Sequence, residues 1–164
     1  MLLGLPLAQF TVLHVVITLI AIAAGLIFFG ALSSGRWLGF INGLFLDFTI
    51  LTSVTGFLFP FKGVTPAIIF GVISIILLAI ALLALYLFKI VGVWRRIYLV
   101  TALIAQWLNM VVLVVQSFQK IPALHALAPK GNEPAVLAGQ ALMALIVAFF
   151  AWRTIVRAPA LEAI

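Results

Sequence analysis

The sequence contains no cysteine, which excludes disulfides, thiolate nucleophiles and cysteine-ligated metal or iron–sulfur sites. Charge is scarce as well: 7% of the residues are Asp, Glu, Lys or Arg, whereas a soluble domain has about 25%. Hydrophobic residues make up 67% of the chain, against roughly 45–50% in soluble domains. Nine basic and three acidic side chains are too few to build a water-exposed surface around 164 residues. Lipid must therefore be the main solvent of this protein.

The net charge of +6 does not indicate a nucleic-acid-binding protein. Lys and Arg lie at the ends of the apolar segments, where such residues anchor and orient membrane helices. The expected partner is the lipid bilayer, and a homo-oligomer or a larger membrane complex is compatible with so short a chain. Residues 1–10 contain no basic side chain, unlike a secretory signal, so the first apolar segment is expected to be retained.

Five apolar segments are each long enough to cross a hydrocarbon core of about 30 Å as an α-helix. They cover residues 7–32, 39–59, 66–88, 94–118 and 134–152. Pro66 and Pro134 suit the first turn of a helix, where the missing N–H costs no hydrogen bond. The sequence therefore predicts an all-α, polytopic membrane helix bundle, with residues 1–164 as a single transmembrane domain.

Basic residues are divided unequally between the two sides of the predicted bundle. One side holds three of them: Lys62, Lys120 and Lys130. The other side holds six: Arg36, Lys89, Arg95, Arg96, Arg153 and Arg157. Because Lys and Arg are enriched in cytoplasmic loops, we expect the N-terminus outside and the C-terminus in the cytoplasm. Four aromatic residues near the richer side fit an interfacial belt: Trp37, Trp94, Tyr98 and Trp152.

Polar side chains inside the predicted spans gather in the outer half of the bundle. Such groups are costly in lipid and usually face the bundle interior. The predicted ligand-binding residues are His14, Thr18, Thr52, Ser53, Thr55, Asn109, Gln116 and Gln140. The pattern predicts an outward-facing polar pocket that binds or transports a small solute or ion. A loop lid is predicted above it, formed by Lys120, His125 and Glu133.

The same polar side chains also fit a packing role. Ser, Thr, Asn and Gln form hydrogen bonds between membrane helices, worth roughly 0.6–2 kcal/mol each. Ser and Thr also donate to their own backbone one turn back, so packing is the favoured interpretation for them. For the amides of Gln106, Asn109 and Gln116, which share one helix face, packing and ligand binding stay equally open.

His14 has three interpretations. A neutral imidazole hydrogen-bonded to a neighbour is favoured over a proton-handling group and over a haem or metal ligand. A haem held by two histidines would need a second one at similar depth, and His125 is predicted to lie in the outer loop. No span carries two histidines at helical spacing, so no metal site is predicted. Haem and quinone remain the candidate cofactors.

Asp47 is the only acidic residue inside a predicted span, slightly inward of the centre. On an ideal helix it points away from the Thr/Ser stripe, toward Leu44 and Leu51. It is a candidate proton or ion site, because an unpaired carboxylate in lipid is costly. An ion pair with an arginine near the cytoplasmic end, or snorkelling toward that interface, is the favoured alternative.

Two segments carry a resemblance to known proteins. They are TSVTGFLFP at residues 52–60 and QSFQKIPALHALAP at residues 116–129, the latter followed by Glu133 and Pro134. Together they resemble a family of small, functionally uncharacterised bacterial inner-membrane proteins, over most of the chain. The resemblance implies an inner-membrane location and a compact helical fold. It implies no activity, cofactor or catalytic residue.

The spans lack the residue patterns of three functions. They contain no paired carboxylates for acid–base catalysis, no glycine loop for phosphate binding and no arginine-rich helix for voltage sensing. An enzyme is therefore less favoured than a non-enzymatic protein. Solute or ion binding stands as the first hypothesis. A haem- or quinone-binding redox accessory and a structural subunit of a larger membrane complex are the alternatives.

Overall fold

Helices make up almost all of the chain in the computed structural model, which describes residues 2, 4–60, 63 and 65–157. They are α1 (Leu7–Leu32), α2 (Gly39–Phe57), α3 (Pro66–Leu82), α4 (Val93–Lys120), α5 (Pro122–His125) and α6 (Pro134–Ala151). A π-helical turn, Leu83–Leu87, continues α3, and another, Trp152–Val156, continues α6. No β-strand occurs within these residues, so the all-α prediction is confirmed.

Five of the helices are long and apolar enough to cross a membrane, which confirms the predicted number of spans. They cover Leu7–Leu32, Gly39–Phe57, Ile68–Leu87, Val93–Lys120 and Pro134–Val156. The fifth span runs past its expected end at Trp152, because the π-helical turn continues the helix without a break. Lys62, one of the counted basic residues, lies outside the described residues. The chain is thus a polytopic helical membrane protein.

Proline begins two of the spans, as the sequence predicts. Pro66 is the first residue of α3, and the preceding Thr65 accepts a hydrogen bond from the backbone N–H of Ile68 at 3.4 Å. Pro134 begins α6 after Glu133. Proline suits this place because its fixed φ is already helical and its missing N–H would have no partner within the helix.

The fourth helix lies at the centre of the bundle and contacts α1, α2, α3 and α6. In its most apolar stretch 61% of the residues are buried, against 6% in α6, which therefore lies at the edge. The main buried cluster includes Phe28, Phe45, Tyr98, Leu99 and Ala102. Lipid tails are as apolar as these side chains, so the helices are held by close packing and interhelical hydrogen bonds.

Successive spans run in opposite directions and give the bundle two chemically different ends. The arginine end carries the six basic residues Arg36, Lys89, Arg95, Arg96, Arg153 and Arg157. The histidine end contains His14 on α1 and Thr55 on α2, which contact each other. At the arginine end, the guanidinium of Arg153 donates to the backbone carbonyl of Ser33 at 2.9 Å, which ties α6 to the end of α1.

A tight turn joins α3 to α4 at the arginine end. Lys89 and Ile90 both have positive φ, 52° and 51°, and Gly92 follows at 59°. Left-handed backbone is rare for a residue other than glycine, and rarer for a β-branched one. The rings of Phe88 and Trp94 stack in parallel across the turn, with centroids 3.6 Å apart. This stacking, together with the hydrogen bond from Ile90 N–H to Ala84 O at 2.9 Å, holds the strained turn in place.

Candidate functional site

The polar contact nearest the histidine end joins α1 to α2. His14 Nδ1 lies 2.8 Å from Thr55 Oγ1, and Thr55 Oγ1 lies 2.6 Å from the carbonyl of Leu51. A hydroxyl has a single hydrogen, and here it is directed to the Leu51 carbonyl, so Nδ1–H of His14 donates to Thr55. This hydrogen-bond network assigns the tautomer of the neutral imidazole. Its Nε2 then carries a lone pair that can accept a hydrogen bond.

Aromatic rings and a glycine shape the space around the imidazole. Phe59 meets the imidazole edge-on with centroids 5.2 Å apart, and Phe10 meets Phe59 at 5.1 Å. A Cβ at Gly56 would stand 3.7 Å from His14 Cε1, an ordinary van der Waals distance, so the imidazole lies beside this residue of α2. The imidazole is half-buried as a result.

The hydroxyl of Thr52 is buried and has no hydrogen-bond partner among the described residues. Helical spacing places Thr52 one turn inward from Thr55 and Gly56, the two α2 residues that contact His14. Most threonine hydroxyls of the spans donate to their own helix backbone; Thr18 Oγ1, for example, lies 2.8 Å from the carbonyl of His14. A buried polar atom without a partner is uncommon, and an ion, water or ligand often satisfies it. We call His14, Thr18, Thr52 and Thr55 the His14 cluster.

A second group of polar residues lies deeper along α2, where this helix contacts α4. The side-chain amide of Asn109 donates to Thr49 Oγ1 at 3.4 Å, and Thr49 donates to the carbonyl of Phe45 at 2.6 Å. Ser53 donates to the carbonyl of Thr49 at 3.1 Å. All three residues are buried. Two predicted ligand-binding residues, Ser53 and Asn109, thus take part in helix packing here and lie apart from the His14 cluster.

The amide of Gln106 is fully buried where α1, α2 and α4 meet. Its Nε2 donates to the backbone carbonyl of Ile22 at 3.1 Å, while its Oε1 has no hydrogen-bond partner within the described part of the chain. A Cβ at Gly25 would stand 2.7 Å from Cδ of Gln106 and 2.9 Å from the ring of Phe45. The absence of a side chain at residue 25 therefore makes room for the amide.

Tyr98 and Asn42 form a buried polar contact that the sequence did not reveal. The Tyr98 hydroxyl donates to Asn42 Oδ1, which joins α4 to the first turn of α2. The prediction that Tyr98 belongs to an interfacial belt is wrong, because the ring is completely buried. Tyr98 lies one helical turn before Ala102, on the buried face of α4. This helical spacing is the sequence signal that indicates a core position.

The remaining predicted site residues do not join the His14 cluster. Gln116 is exposed on α4, and Gln140 is half-buried on α6. Of the predicted loop lid, Lys120 ends α4 and His125 ends the short α5, and both are exposed. The third lid residue, Glu133, precedes α6. Of the predicted pocket, the structure therefore brings together His14, Thr18, Thr52 and Thr55, while Ser53 and the α4 and α6 members lie elsewhere.

Glu133 orders the loop that leads into α6. Its carboxylate accepts hydrogen bonds from the backbone N–H of Lys130 at 2.8 Å and of Asn132 at 3.0 Å. The bond from the Lys130 backbone, more than any other contact, holds the pKa of this carboxyl below its ordinary value. Hydrogen bonds to the charged form of a carboxyl favour that form. The ionised Glu133 side chain thus stabilises the turn before α6.

Asp47 lies on the surface of α2 that faces away from the rest of the bundle. No hydrogen bond or ion pair joins its carboxylate to another described residue, so the ion pair that the sequence favoured is not found there. A charged Asp at the centre of a membrane helix costs roughly 2.5–3.5 kcal/mol. This free-energy cost is removed when the carboxylate pairs with a cation or becomes protonated.

Comparison with known proteins found no match: no family model, curated protein or solved structure resembles the chain. The resemblance to small bacterial inner-membrane proteins stays a prediction. Function must accordingly be argued from the geometry of this chain alone.

Two clefts lie toward the arginine end. One, of about 560 Å³, is a shallow apolar groove along α3 and its π-helical turn, lined by Ala79, Leu82, Leu83, Tyr86 and Leu87. The other, of about 170 Å³, lies between the start of α4 and the end of the fifth span, lined by Gly92, Arg95, Arg96, Leu99, Thr154 and Ile155. Within the described residues, no three His, Asp or Glu side chains lie close enough to hold a metal ion.

Proposed function

We propose that this membrane protein binds a small polar solute or ion at the His14 cluster, between α1 and α2. The single observation that carries the proposal is the buried, unpartnered hydroxyl of Thr52, one turn from the residues that contact His14. A ligand seated there would accept a hydrogen bond from Thr52 and donate one to Nε2 of His14. Both groups are otherwise unused by the helix packing.

The chemistry of the cluster favours a small ligand that both donates and accepts hydrogen bonds. The cluster offers one hydroxyl donor and one imidazole acceptor, and no charged side chain is part of it. Small neutral amides such as urea fit this description. Ammonium fits in a different way, by donating to the imidazole nitrogen and to the lone pairs of the Thr52 oxygen. Phe59 and Phe10 form an apolar cover, which limits the size of the ligand.

Transport is supported by further polar contacts at greater depth. The Asn109–Thr49 contact, the buried Gln106 and the Tyr98–Asn42 contact follow one another along α4 toward the arginine end. We place the histidine end outside a bacterial inner membrane, because the six basic residues of the other end favour the cytoplasm. The ligand would then enter from the outside.

Haem binding is the second candidate, and it rests on the assigned tautomer of His14. The Nδ1 of an iron-ligating histidine commonly donates to a neighbouring oxygen, as it does here to Thr55, and the iron binds the opposite nitrogen. A Soret band in purified protein that disappears in His14→Ala would favour haem over a small solute. A colourless preparation would remove this candidate.

The test compares two threonines in proteoliposomes. An enclosed pH-sensitive dye follows protons and ammonium, and light scattering follows the change of vesicle volume that accompanies urea flux. Thr52→Val removes the unpartnered hydroxyl at nearly constant volume. Thr101→Val removes a buried hydroxyl that donates to its own helix at 2.8 Å, and serves as the matched control. Loss of one hydrogen bond to the ligand predicts an about tenfold lower rate for Thr52→Val alone. Equal rates in both variants and the wild type, or no flux of any probe, would contradict the proposal.

A further inference from the structure

One face of α2 carries Asp47 among apolar side chains and packs against no other helix that the structure describes. Its exposed residues follow three- and four-residue spacing and so share one side of the helix. We call them the Asp47 face: Phe40, Asp47, Leu51, Val54 and Leu58. Phe40 is 78% exposed and Leu51 43% exposed, so the face is open along the whole length of α2.

The carboxylate is too deep to reach water by extending toward an interface. Asp47 lies eight residues after Gly39, the first residue of α2, which is about 12 Å at 1.5 Å per residue. Snorkelling is a property of long side chains such as Lys and Arg, and Asp has a single methylene. Lipid tails offer no hydrogen-bond donor. In its ionised form the carboxylate therefore needs a partner that lies at the same depth and is not part of the described chain.

We propose that the Asp47 face is covered by a transmembrane helix of a different protein, and that this helix carries a Lys or Arg at mid-span opposite Asp47. Charged residues inside a membrane normally pair with one another. A basic side chain from a neighbouring helix would satisfy the carboxylate and be satisfied by it. This chain is then one subunit of a hetero-oligomeric membrane complex.

The shape of the face suits a helical partner. Residues 40, 47, 51, 54 and 58, with 44 beside them, follow the alternating spacing of four and three that a left-handed helix pair requires. Gly43 lies one turn before Asp47, and nothing stands within 4 Å of where its Cβ would be. A partner backbone can therefore approach α2 closely beside the carboxylate.

A second copy of this chain cannot supply the basic residue. Every basic residue lies at the end of a span or between spans: Arg36, Lys62, Lys89, Arg95, Arg96, Lys120, Lys130, Arg153 and Arg157. Arg95 and Arg96 are the third and fourth residues of α4, and Lys120 is its last. A homodimer through this face would bring two carboxylates together at mid-membrane, where like charges repel. The occupant must be a different protein.

The inference is independent of the proposed ligand site. Gly56, which contacts His14, lies on the side of α2 opposite Asp47, because nine residues turn a helix by about half a circle. Loss of the partner would leave the His14–Thr55 contact intact. A negative flux assay on the isolated protein would therefore contradict the ligand site alone. A negative crosslinking assay in native membranes would contradict the partner helix alone.

Photo-crosslinking in native membranes, at the natural expression level, tests the partner's presence. p-Benzoylphenylalanine replaces Leu51 on the Asp47 face or, as the control, Ile76, which is 56% exposed on α3. The expected result is one discrete adduct from residue 51 and none from residue 76. The adduct should contain a peptide from another protein's transmembrane segment with a Lys or Arg at its middle. No adduct, or an adduct containing this chain's own peptide, would overturn the proposal.

A charge exchange then tests the ion pair itself. Asp47→Lys should lower the yield of the residue-51 adduct at least tenfold, and changing the partner's basic residue to Asp in the same cells should restore it. Asp47→Asn, which keeps the shape, serves as the folding control, because the purified variant should retain the wild-type elution volume and helical circular dichroism. An unchanged adduct in Asp47→Lys, or no recovery in the exchanged pair, would show that the carboxylate does not recognise a cation.

Discussion

The backbone of Gly25 on α1 lies directly against the side-chain amide of Gln106 on α4. Alanine at residue 25 would place a methyl group 2.7 Å from Cδ of Gln106 and 2.9 Å from the ring of Phe45. Both neighbours are fully buried. The contact shows why a glycine occurs at this depth of α1, where packing three helices around an amide leaves no room for a side chain.

Gly25→Ala should therefore destabilise the bundle. Overpacking of a dense core costs about 1–3 kcal/mol, so we expect a clearly lower melting temperature in lipid nanodiscs. Gly30→Ala is the matched control on the same helix, because nothing stands within 4 Å of its Cβ position. If the two variants melt at the same temperature, the packing of Gln106 against Gly25 is not as described.

Tyr98→Phe should destabilise the protein by about 1 kcal/mol, a typical value for one hydrogen bond between membrane helices. The substitution removes the hydroxyl that donates to Asn42 and leaves the buried amide oxygen without its donor. Tyr86→Phe removes a hydroxyl from an exposed ring and should leave the melting temperature unchanged. A double-mutant cycle with Asn42→Ala measures the coupling, and a coupling energy of zero would contradict the interhelical bond.

Lys89→Gly should stabilise the turn between α3 and α4. Left-handed backbone costs a residue with a Cβ roughly 1–2 kcal/mol, and glycine escapes most of that cost. Lys89→Ala removes the same charge without relieving the backbone, so it isolates the conformational effect. We expect the glycine variant to melt at a higher temperature than the alanine variant. The reverse order would mean that residue 89 does not hold a positive φ.

The loop before α6 should lose order in acid. Because the pKa of Glu133 is depressed in the folded protein, its contribution is present above the unfolded pKa and is lost as pH falls through the folded value. The backbone amide signals of Lys130 and Asn132 should shift together in NMR spectra, with a midpoint below the ordinary Glu value of 4.5. Glu133→Gln should remove this transition. A midpoint at or above 4.5 would contradict the hydrogen bonds.

The sequence alone determined the class of protein and most of its local structure. Length and composition of each apolar segment require lipid as the solvent, and α-helix is the local structure that satisfies every backbone group there. Pro66 and Pro134 marked two helix starts for a local steric reason. Helical spacing also showed that Asp47 points away from the threonines, because residues on one helix keep fixed angles to each other.

Tertiary structure decided which polar residues meet, because a sequence does not specify how each helix is rotated about its axis or which helix it faces. That rotation joins His14 to Thr55 but directs Asn109 to Thr49, deeper along α2. It buries Tyr98, which the sequence analysis predicted to lie at the membrane interface. It also leaves the Thr52 hydroxyl without a hydrogen-bond partner among the described residues. It also leaves Asp47 unpaired, since no arginine of the described chain reaches its face of α2.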